Sequence, residues 1–392
     1  MRYLDHIDEI IKRIEAHGES AYVVGGCVRD SLLGITPNDF DIAVSCPPNV
    51  TMEIFSDKHV IPTGIKHGTV TVVCGGEPVE LTTFRIDGSY TDSRHPDNVL
   101  FTDRIEEDLS RRDFTVNAMA YSARAGLVDI FGGREDLEKK IIRAVGDPRL
   151  RFEEDALRIL RAFRFAAQLG FEIEENTLLA AGDRADGLSM VARERIGVEF
   201  IKLLRSPSAA SSLTQMAGVG VTYYVLGSYQ PSDKLIGGLS ALPDTDVARL
   251  GFLLAEAEEG EAREILHSLR CSSKQIKGAL AVRRASHIAV TDVISARRFI
   301  AETGIYWESG IIASAAFGSS SEAAVELTRR ESSIPKGVSD IKINGRILAE
   351  LGYRGKDIGD ILGALLARCI DDPTLNREEK LRELVSMYKK DE

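Results

Sequence analysis

Leu4, Ile7, Ile11 and Ile14 recur at helical spacing through the first residues of the chain, with Asp5, Asp8 and Glu9 between them. Apolar side chains three and four apart line one face of a helix, so Met1 to Gly18 is predicted to be an amphipathic helix stopped by Gly18. The same acids interrupt any apolar core, so the segment does not read as a signal peptide. The period then changes. Ala21-Tyr22-Val23-Val24 predicts a short strand ending in Gly25-Gly26, after which Val28 to Leu33 can open a helix. Asp39-Phe40-Asp41-Ile42-Ala43 predicts another strand. Thr69 to Cys74 and Pro78 to Phe84, joined at Gly75-Gly76, predict a hairpin. Residues 20–85 therefore read as α+β with a mixed or antiparallel sheet.

From about Leu137 the strand signals stop. Ala156, Leu160, Phe163 and Ala167 follow helical spacing, and so do Leu381, Leu384 and Val385. Breaks rich in turn formers fall near Ser206 to Ser208, Gly227 to Asp233, Gly318 to Ser321 and Ile334 to Ser339. No fixed-period repeat or low-complexity tract is present. The expected architecture is an α+β head followed by several all-helical segments.

The chain has 392 residues, enough for two to four domains or subdomains. No stretch approaches a membrane-spanning apolar run. Five scattered cysteines form no CxxC pair, which fits reduced thiols in a cytoplasm and argues against a zinc site. A net charge of −11 argues at first sight against a nucleic-acid partner. Binding, however, follows the local surface and not the sum. Residues 139–164 carry Lys139, Lys140, Arg143, Arg149, Arg151, Arg158, Arg161 and Arg164, opposed by Asp147, Glu153, Glu154 and Asp155. Composition leaves two readings even: a solvated helix face laced with ion pairs, or a strip touching nucleotide or RNA backbone.

The chemistry concentrates around Asp39 and Asp41, which follow the turn Gly25-Gly26-Cys27-Val28-Arg29-Asp30. Alternate residues of a strand share a face, so the two carboxylates point the same way. Like charges that close are costly unless a cation lies between them. Glycines at a helix start let backbone N–H groups close on an anion. A phosphate cradle beside a cation site suggests a metal-dependent nucleotide enzyme. Glu80, an acid in an otherwise apolar strand, reads either as an edge charge or as a third ligand across the sheet from Asp39 and Asp41. Three carboxylates holding two divalent cations can activate a 3′-hydroxyl and steady a leaving pyrophosphate. In Arg111-Arg112-Asp113-Phe114-Thr115-Val116-Asn117, arginines suit phosphate oxygens, while Asp113 and Asn117 suit ribose hydroxyls. On its own this segment reads more readily as a helix start capped by Asp113, with surface arginines.

These motifs occur in order, continue through Asp129-x-Phe131-Gly132-Gly133-x-x-Asp136-Leu137 and end in Arg151-Phe152-x-Glu154-Asp155-Ala156-Leu157-Arg158. The set resembles the class II tRNA nucleotidyltransferases, the CCA-adding enzymes, within the wider tRNA nucleotidyltransferase/poly(A) polymerase family. The likeness is nearly gapless over residues 20–200, weakens to about 335 and recovers around Ile343-Asn344-Gly345 and Asn376 to Leu384. It implies a polymerase-beta-like catalytic head over 1–137, a helical neck that recognises the base over 138–200, a helical body over 201–335 and a tRNA-binding helical tail over 336–392. It also implies Mg²⁺ held by Asp39, Asp41 and Glu80, and a nucleotide held by Gly25, Gly26, Arg29, Arg112, Asp113, Asn117, Asp155, Arg158, Arg161 and Arg164. The partners implied are the tRNA 3′ end, CTP and ATP, with no membrane and no obligate protein partner.

The family selects bases with Glu-Asp-x-x-Arg, matched by Glu154, Asp155 and Arg158. On one helix, 155 and 158 share a face. Asp accepts and Arg donates, which suits cytosine and adenine, each with an amino donor beside an acceptor nitrogen. Uracil and guanine present the reverse polarity. An Asp155–Arg158 ion pair is the plainer alternative. The polar stretch Asp87 to Asp97 corresponds to a loop the family needs for the final A, with His95 an ordinary loop residue. Arg193-Glu194-Arg195-Ile196-x-x-Glu199 is expected to brace the neck. In the tail, Asn344-Gly345 and Gly352 to Gly359 read as RNA-approaching glycines or as helix caps. Cys27 stands where the family usually has a smaller residue, and Ser45-Cys46-Pro47-Pro48 departs from its usual pattern. No His-Asp dipeptide occurs, so an appended phosphohydrolase domain is not expected. The rival readings are an A-adding enzyme, a poly(A) polymerase, and an RNA-binding module without catalysis.

Overall fold

The early apolar runs assemble side by side in the computed structural model, which describes residues 4–37, 39–88 and 99–388. Strands β1 (Ala21–Val24), β2 (Asp41–Val44), β3 (His59–Gly64), β4 (Thr69–Cys74), β5 (Glu77–Thr83), β6 (Ala120–Ser122) and β7 (Gly126–Val128) form one sheet in the order β3-β4-β5-β2-β1-β6-β7. Only β2 and β5 run parallel, and every other neighbouring pair is antiparallel. The sheet is thus mixed, as its pattern allowed. In β4, Val70, Val72 and Cys74 are buried while the residues between them are half exposed, the period-2 signature of a strand with one wet face. Gly75 and Gly76 both have positive φ, 63° and 89°, as a two-residue hairpin turn requires.

The first helix, Asp5–Ala16, lays Ile7, Ile10, Ile11 and Ile14 against the sheet. Leu4 departs from expectation. It sits just outside the helix and is 49% exposed, while Ile10 takes the buried place. The helix starts one residue later than the apolar spacing implies.

Strand structure does not end at Leu137. Ile141–Ile142 pairs in parallel with Glu172–Ile173, a two-residue contact too short to carry an alternation in sequence. Beyond it the chain is helical. The chain divides into two compact units, Met1–Gly227 and Ser228–Glu392. The division falls at the start of the predicted Gly227 to Asp233 break, where Gly227 has φ 69°. In the second unit, helices Asp246–Leu253, Ser273–Ala285 and Trp307–Phe317 pack on one another. A separate small core at the C-terminal end buries Ile343, Leu348, Leu365, Cys369, Leu381 and Val385. There Asn344 accepts from the N–H groups of Arg346 and Ile347, and Gly352 and Gly355 have φ 96° and 56°. These residues therefore start and stop helices, which is the capping alternative.

Candidate active site

Strand register builds the rim of the site. Asp41 is the first residue of β2, opposite Val24 on one side and Glu80 on the other. The sheet therefore sets the Asp41 carboxylate level with Glu80 and with the Gly25 turn that follows Val24. Asp39 lies two residues earlier, before the strand begins, so the two acids are not alternate residues of one strand as expected, and Asp39, Asp41 and Glu80 are all exposed. Burial of its surroundings pushes the Asp41 carboxyl up, Arg112 pulls it down, and the Asp39 charge adds to the rise, which prevails. A cation between the two acids would relieve that repulsion, and oxygen donors open to water suit a hard divalent ion. Among the described residues no group of three or more His, Cys, Asp and Glu side chains is gathered closely enough to hold a metal ion. Glu80 shares a row with Asp41, and the three acids do not gather into such a group.

Beside the rim, Gly25 adopts φ 76°, and a Cβ there would stand 2.9 Å from an Arg112 guanidinium nitrogen. The absent side chain is what lets Arg112 come down onto the turn. Arg112 is held from behind by Asp108, which is 1% exposed and accepts from Arg112 at 3.2 Å and from Arg111 at 2.7 Å. Burial alone would raise the Asp108 carboxyl, but the two guanidinium groups hold it below the ordinary value. Sequence reasoning passed over Asp108. Its signal was an acid three and four residues ahead of an arginine pair.

The other predicted groups form one hydrogen-bonded chain. Arg29, buried, donates to Asp30 at 2.8 Å and to Asn117 Oδ1 at 2.7 Å. Asn117 donates to Asp113 at 3.3 Å, and Arg161 donates to the other Asp113 oxygen at 2.8 Å. Burial would raise Asp113, but Arg161, Arg158 and Asn117 draw it below the usual carboxylate range. Asp113 also accepts from the N–H of Phe114 at 2.9 Å, but it caps no helix: the short turn Thr115–Asn117 that follows has Phe114 at its start and no side-chain cap. Arg164 stands apart from this chain. It pairs with Glu199 and lies 3.8 Å from the Phe165 ring centre, which Arg29 and Arg161 approach at 5.3 and 5.2 Å. Burial lowers the Arg164 guanidinium from its ordinary value.

The Glu-Asp-x-x-Arg motif is arranged differently from expectation. Helix Pro148–Glu154 ends, Asp155 turns extended at φ −147° and ψ 101°, and helix Leu157–Leu169 begins. Asp155 and Arg158 therefore do not share a face of one helix. The Asp155 carboxylate breaks the helix by accepting from the Leu157 N–H at 3.0 Å. Nor do they pair with each other. Arg158 donates to Glu154 at 2.6 Å and to the Arg111 carbonyl at 3.0 Å, while Asp155 takes Arg195 at 2.8 Å. In the segment expected to brace the neck, Arg193 donates to the carbonyls of Tyr224 and Val225, beyond residue 200, and Glu199 pairs with Arg164. Arg195 goes further and reaches the motif itself.

The basic strip resolves mostly into ion pairs: Lys139 with Glu135, Arg143 with Asp136, Arg149 with Asp183, Arg151 with Glu154. Arg158, Arg161 and Arg164 turn inward, every third residue on one helix. The loop Asp87 to Asp97, His95 included, lies mostly within 89–98, outside the described residues.

Gly133 places the Thr115–Asn117 turn. A Cβ on Gly133 would stand 2.2 Å from the Thr115 carbonyl oxygen, an impossible contact. Gly133→Ala should cost roughly 1–3 kcal/mol of stability and weaken nucleotide binding through Asn117. Urea unfolding and a nucleotide titration would check this, and an unchanged midpoint would refute the close packing.

Two families match the chain: the Poly A polymerase head domain over residues 21–143 and the probable RNA and SrmB-binding site of polymerase A over 170–230. The CCA-adding enzyme of Lactiplantibacillus plantarum is 40% identical over 283 residues, covering 70% of this chain and 69% of that one. The chain belongs to the CCA-adding enzyme family. The Bacillus stearothermophilus CCA-adding enzyme in complex with CTP is 33% identical, with TM-score 0.83 over 98% of each chain. A CCA-adding enzyme in complex with ATP is 25% identical, with TM-score 0.75 over 98% of this chain and 94% of that one. The α+β head and helical remainder are thus the architecture of this family. Its head match spans the acidic rim and the Arg29–Asp113 chain, and ends at Arg143, before the Glu154–Arg158 segment.

Proposed function

We propose that this chain adds or repairs the 3′-terminal CCA of tRNA from CTP and ATP, without a nucleic-acid template. The observation that carries the reading is the register that sets Asp41 level with Glu80 and beside the Gly25 turn, with Arg112 held onto that turn. Family membership and the CTP and ATP complexes of relatives support the choice of substrates. The RNA 3′-hydroxyl attacks the α-phosphate in line and pyrophosphate leaves. Asp39 and Asp41, with Glu80, would hold Mg²⁺, which as a Lewis acid lowers the pKa of the hydroxyl and neutralises phosphate charge. Gly25, Gly26 and Arg112 receive the triphosphate. Arg29 fixes Asn117, and Asn117 with Asp113 meets the sugar. Arg161 and Arg164 hold Asp113 and Phe165 in place from the neck. Asp155 and Arg158 present one acceptor and one donor to the base.

In this division of labour residues 1–137 carry out transfer and 138–200 read the base, while 201–335 form a helical body and 336–392 hold tRNA. A cytoplasmic site of action agrees with five unpaired cysteines and with the described helices, none of which is long and apolar enough to cross a membrane.

Incubating the protein with tRNA lacking CCA, and with tRNA ending in C or CC, and offering each nucleotide separately, tests the proposal. Extension of all three ends to CCA is expected. Extension of only the CC end would make it an A-adding enzyme, long A tracts a poly(A) polymerase, and no pyrophosphate release a non-catalytic RNA binder. A Gly-Ser replacement of Tyr90 to Asp97 should leave C addition mostly intact and impair A addition. Equal loss of both would remove the loop from the A step.

A further inference from the structure

A cavity of about 360 Å³ lies in the second compact unit between helices Glu259–Ser268 and Ser273–Ala285. Its polar walls come from two stripes. Arg263 and His267 stand four residues apart on the first helix, with Glu259 one step before them. Ser273, Lys277 and Arg284 share a face of the second. Ile276 and Leu280, both buried, make an apolar floor.

Its charge is unbalanced. Arg263 and Arg284 approach the same carboxylate, Glu259, at 3.2 and 3.4 Å, and each remains half exposed. The Lys277 side chain lines the same cavity and makes no hydrogen bond or ion pair with any described residue. Three permanent cations thus face one carboxylate, on a chain whose net charge is −11. The start of the second helix, at Ser273, adds its positive end. Other exposed cations of this chain have a carboxylate to themselves, as Arg149 has Asp183 and Arg298 has Asp371. An unneutralised cluster facing water around a hollow is the footprint of a bound anion. The guanidinium forks of Arg263 and Arg284 suit phosphate oxygens, Lys277 supplies a point charge, and His267 adds a ring N–H.

We propose that this cavity binds a backbone phosphate of the RNA substrate. The assignment rests on the proposed tRNA activity for its source of phosphate, since inorganic phosphate offers the same chemistry. It places an RNA-binding position outside the family match that ends at residue 230.

The test uses full-length protein with Arg263→Gln, Lys277→Glu and both together, all at exposed positions. Binding of tRNA lacking CCA is measured from about 50 to 200 mM salt, the range over which bound phosphates dominate the change. The double variant should bind about tenfold more weakly at the low end. Its plot of log affinity against log salt should be shallower by about one for each phosphate that the variant no longer holds. Maximal turnover at saturating tRNA and KM for CTP should not change, which separates an RNA-binding role from a folding defect. Wild-type affinity and slope in the double variant would overturn the proposal. So would inorganic phosphate that binds wild type and not the variant while tRNA affinity stays the same, because the cavity would then serve a small anion. A wild-type protein that binds tRNA with the expected slope and extends no end would refute the activity and leave the site standing.

Discussion

Asp41→Ala should reduce nucleotide incorporation by about a thousandfold or more while leaving the fold intact or firmer. Removing a cation ligand forfeits transition-state charge stabilisation of about 4 kcal/mol, and each 1.36 kcal/mol is a decade in rate. Stability should move the other way. The Asp41 carboxyl is held above its ordinary value by burial and by Asp39, against the pull of Arg112. A raised carboxyl means the folded state favours the protonated form. Its contribution is therefore lost as pH rises through that range, and the ionised group weakens the apo protein at neutral pH. In chelator at pH 7, Asp41→Ala or Asp41→Asn should melt no lower than wild type, with any gain fading as pH falls toward the carboxylate range. Near wild-type incorporation with Mg²⁺ would refute the metal assignment. A melting point well below wild type at pH 7 would show that Asp41 is structural.

Asp155→Ala should lower CTP and ATP use about tenfold to a hundredfold while UTP use falls less or rises. The loss is that of one charge-assisted hydrogen bond, about 1.5–3 kcal/mol, with 1.4 kcal/mol to a decade. Arg158 would remain as a donor that the carbonyls of uracil can use. The same carboxylate also caps Leu157 and takes Arg195, so the alanine variant alone confounds reading with support. Asp155→Asn separates them. Its carbonyl can still cap Leu157, but its amide donates where the carboxylate accepted. If Asp155 reads the base, the asparagine variant should shift preference toward UTP while keeping wild-type unfolding behaviour. Parallel loss with all four nucleotides, in both variants, would leave Asp155 a helix breaker and a seat for Arg195.

Arg195 ties the Glu154–Arg158 segment to a later helix. It comes from a helix forty residues downstream and bonds the acid that interrupts the motif. Phe165 plays a comparable part on the other side, with Arg29 from the head and Arg161 and Arg164 from the neck around one ring. Arg29 and helix Leu157–Leu169 thus meet at one buried ring, Phe165.

Much of this was legible along the chain because its signals are local. Alternation in Thr69 to Cys74 and the two glycines at 75 and 76 depend on residues within a turn of one another, so the hairpin could be read directly, whereas Asp39 falls before the strand expected to carry it beside Asp41. Motif order carried the family for the same reason. What tertiary structure decided is partnership. No local spacing says that β2 and β5 run parallel with Asp41 opposite Glu80, since register is set by the packing of whole strands. Nor does it say that Asp155 faces Arg195 and Arg158 faces Glu154, which the sequence presents as one i, i+3 pair. Asp155 preferred its own backbone to the helix, as short acidic side chains do, and that one hydrogen bond broke the helix and turned the two residues to different partners.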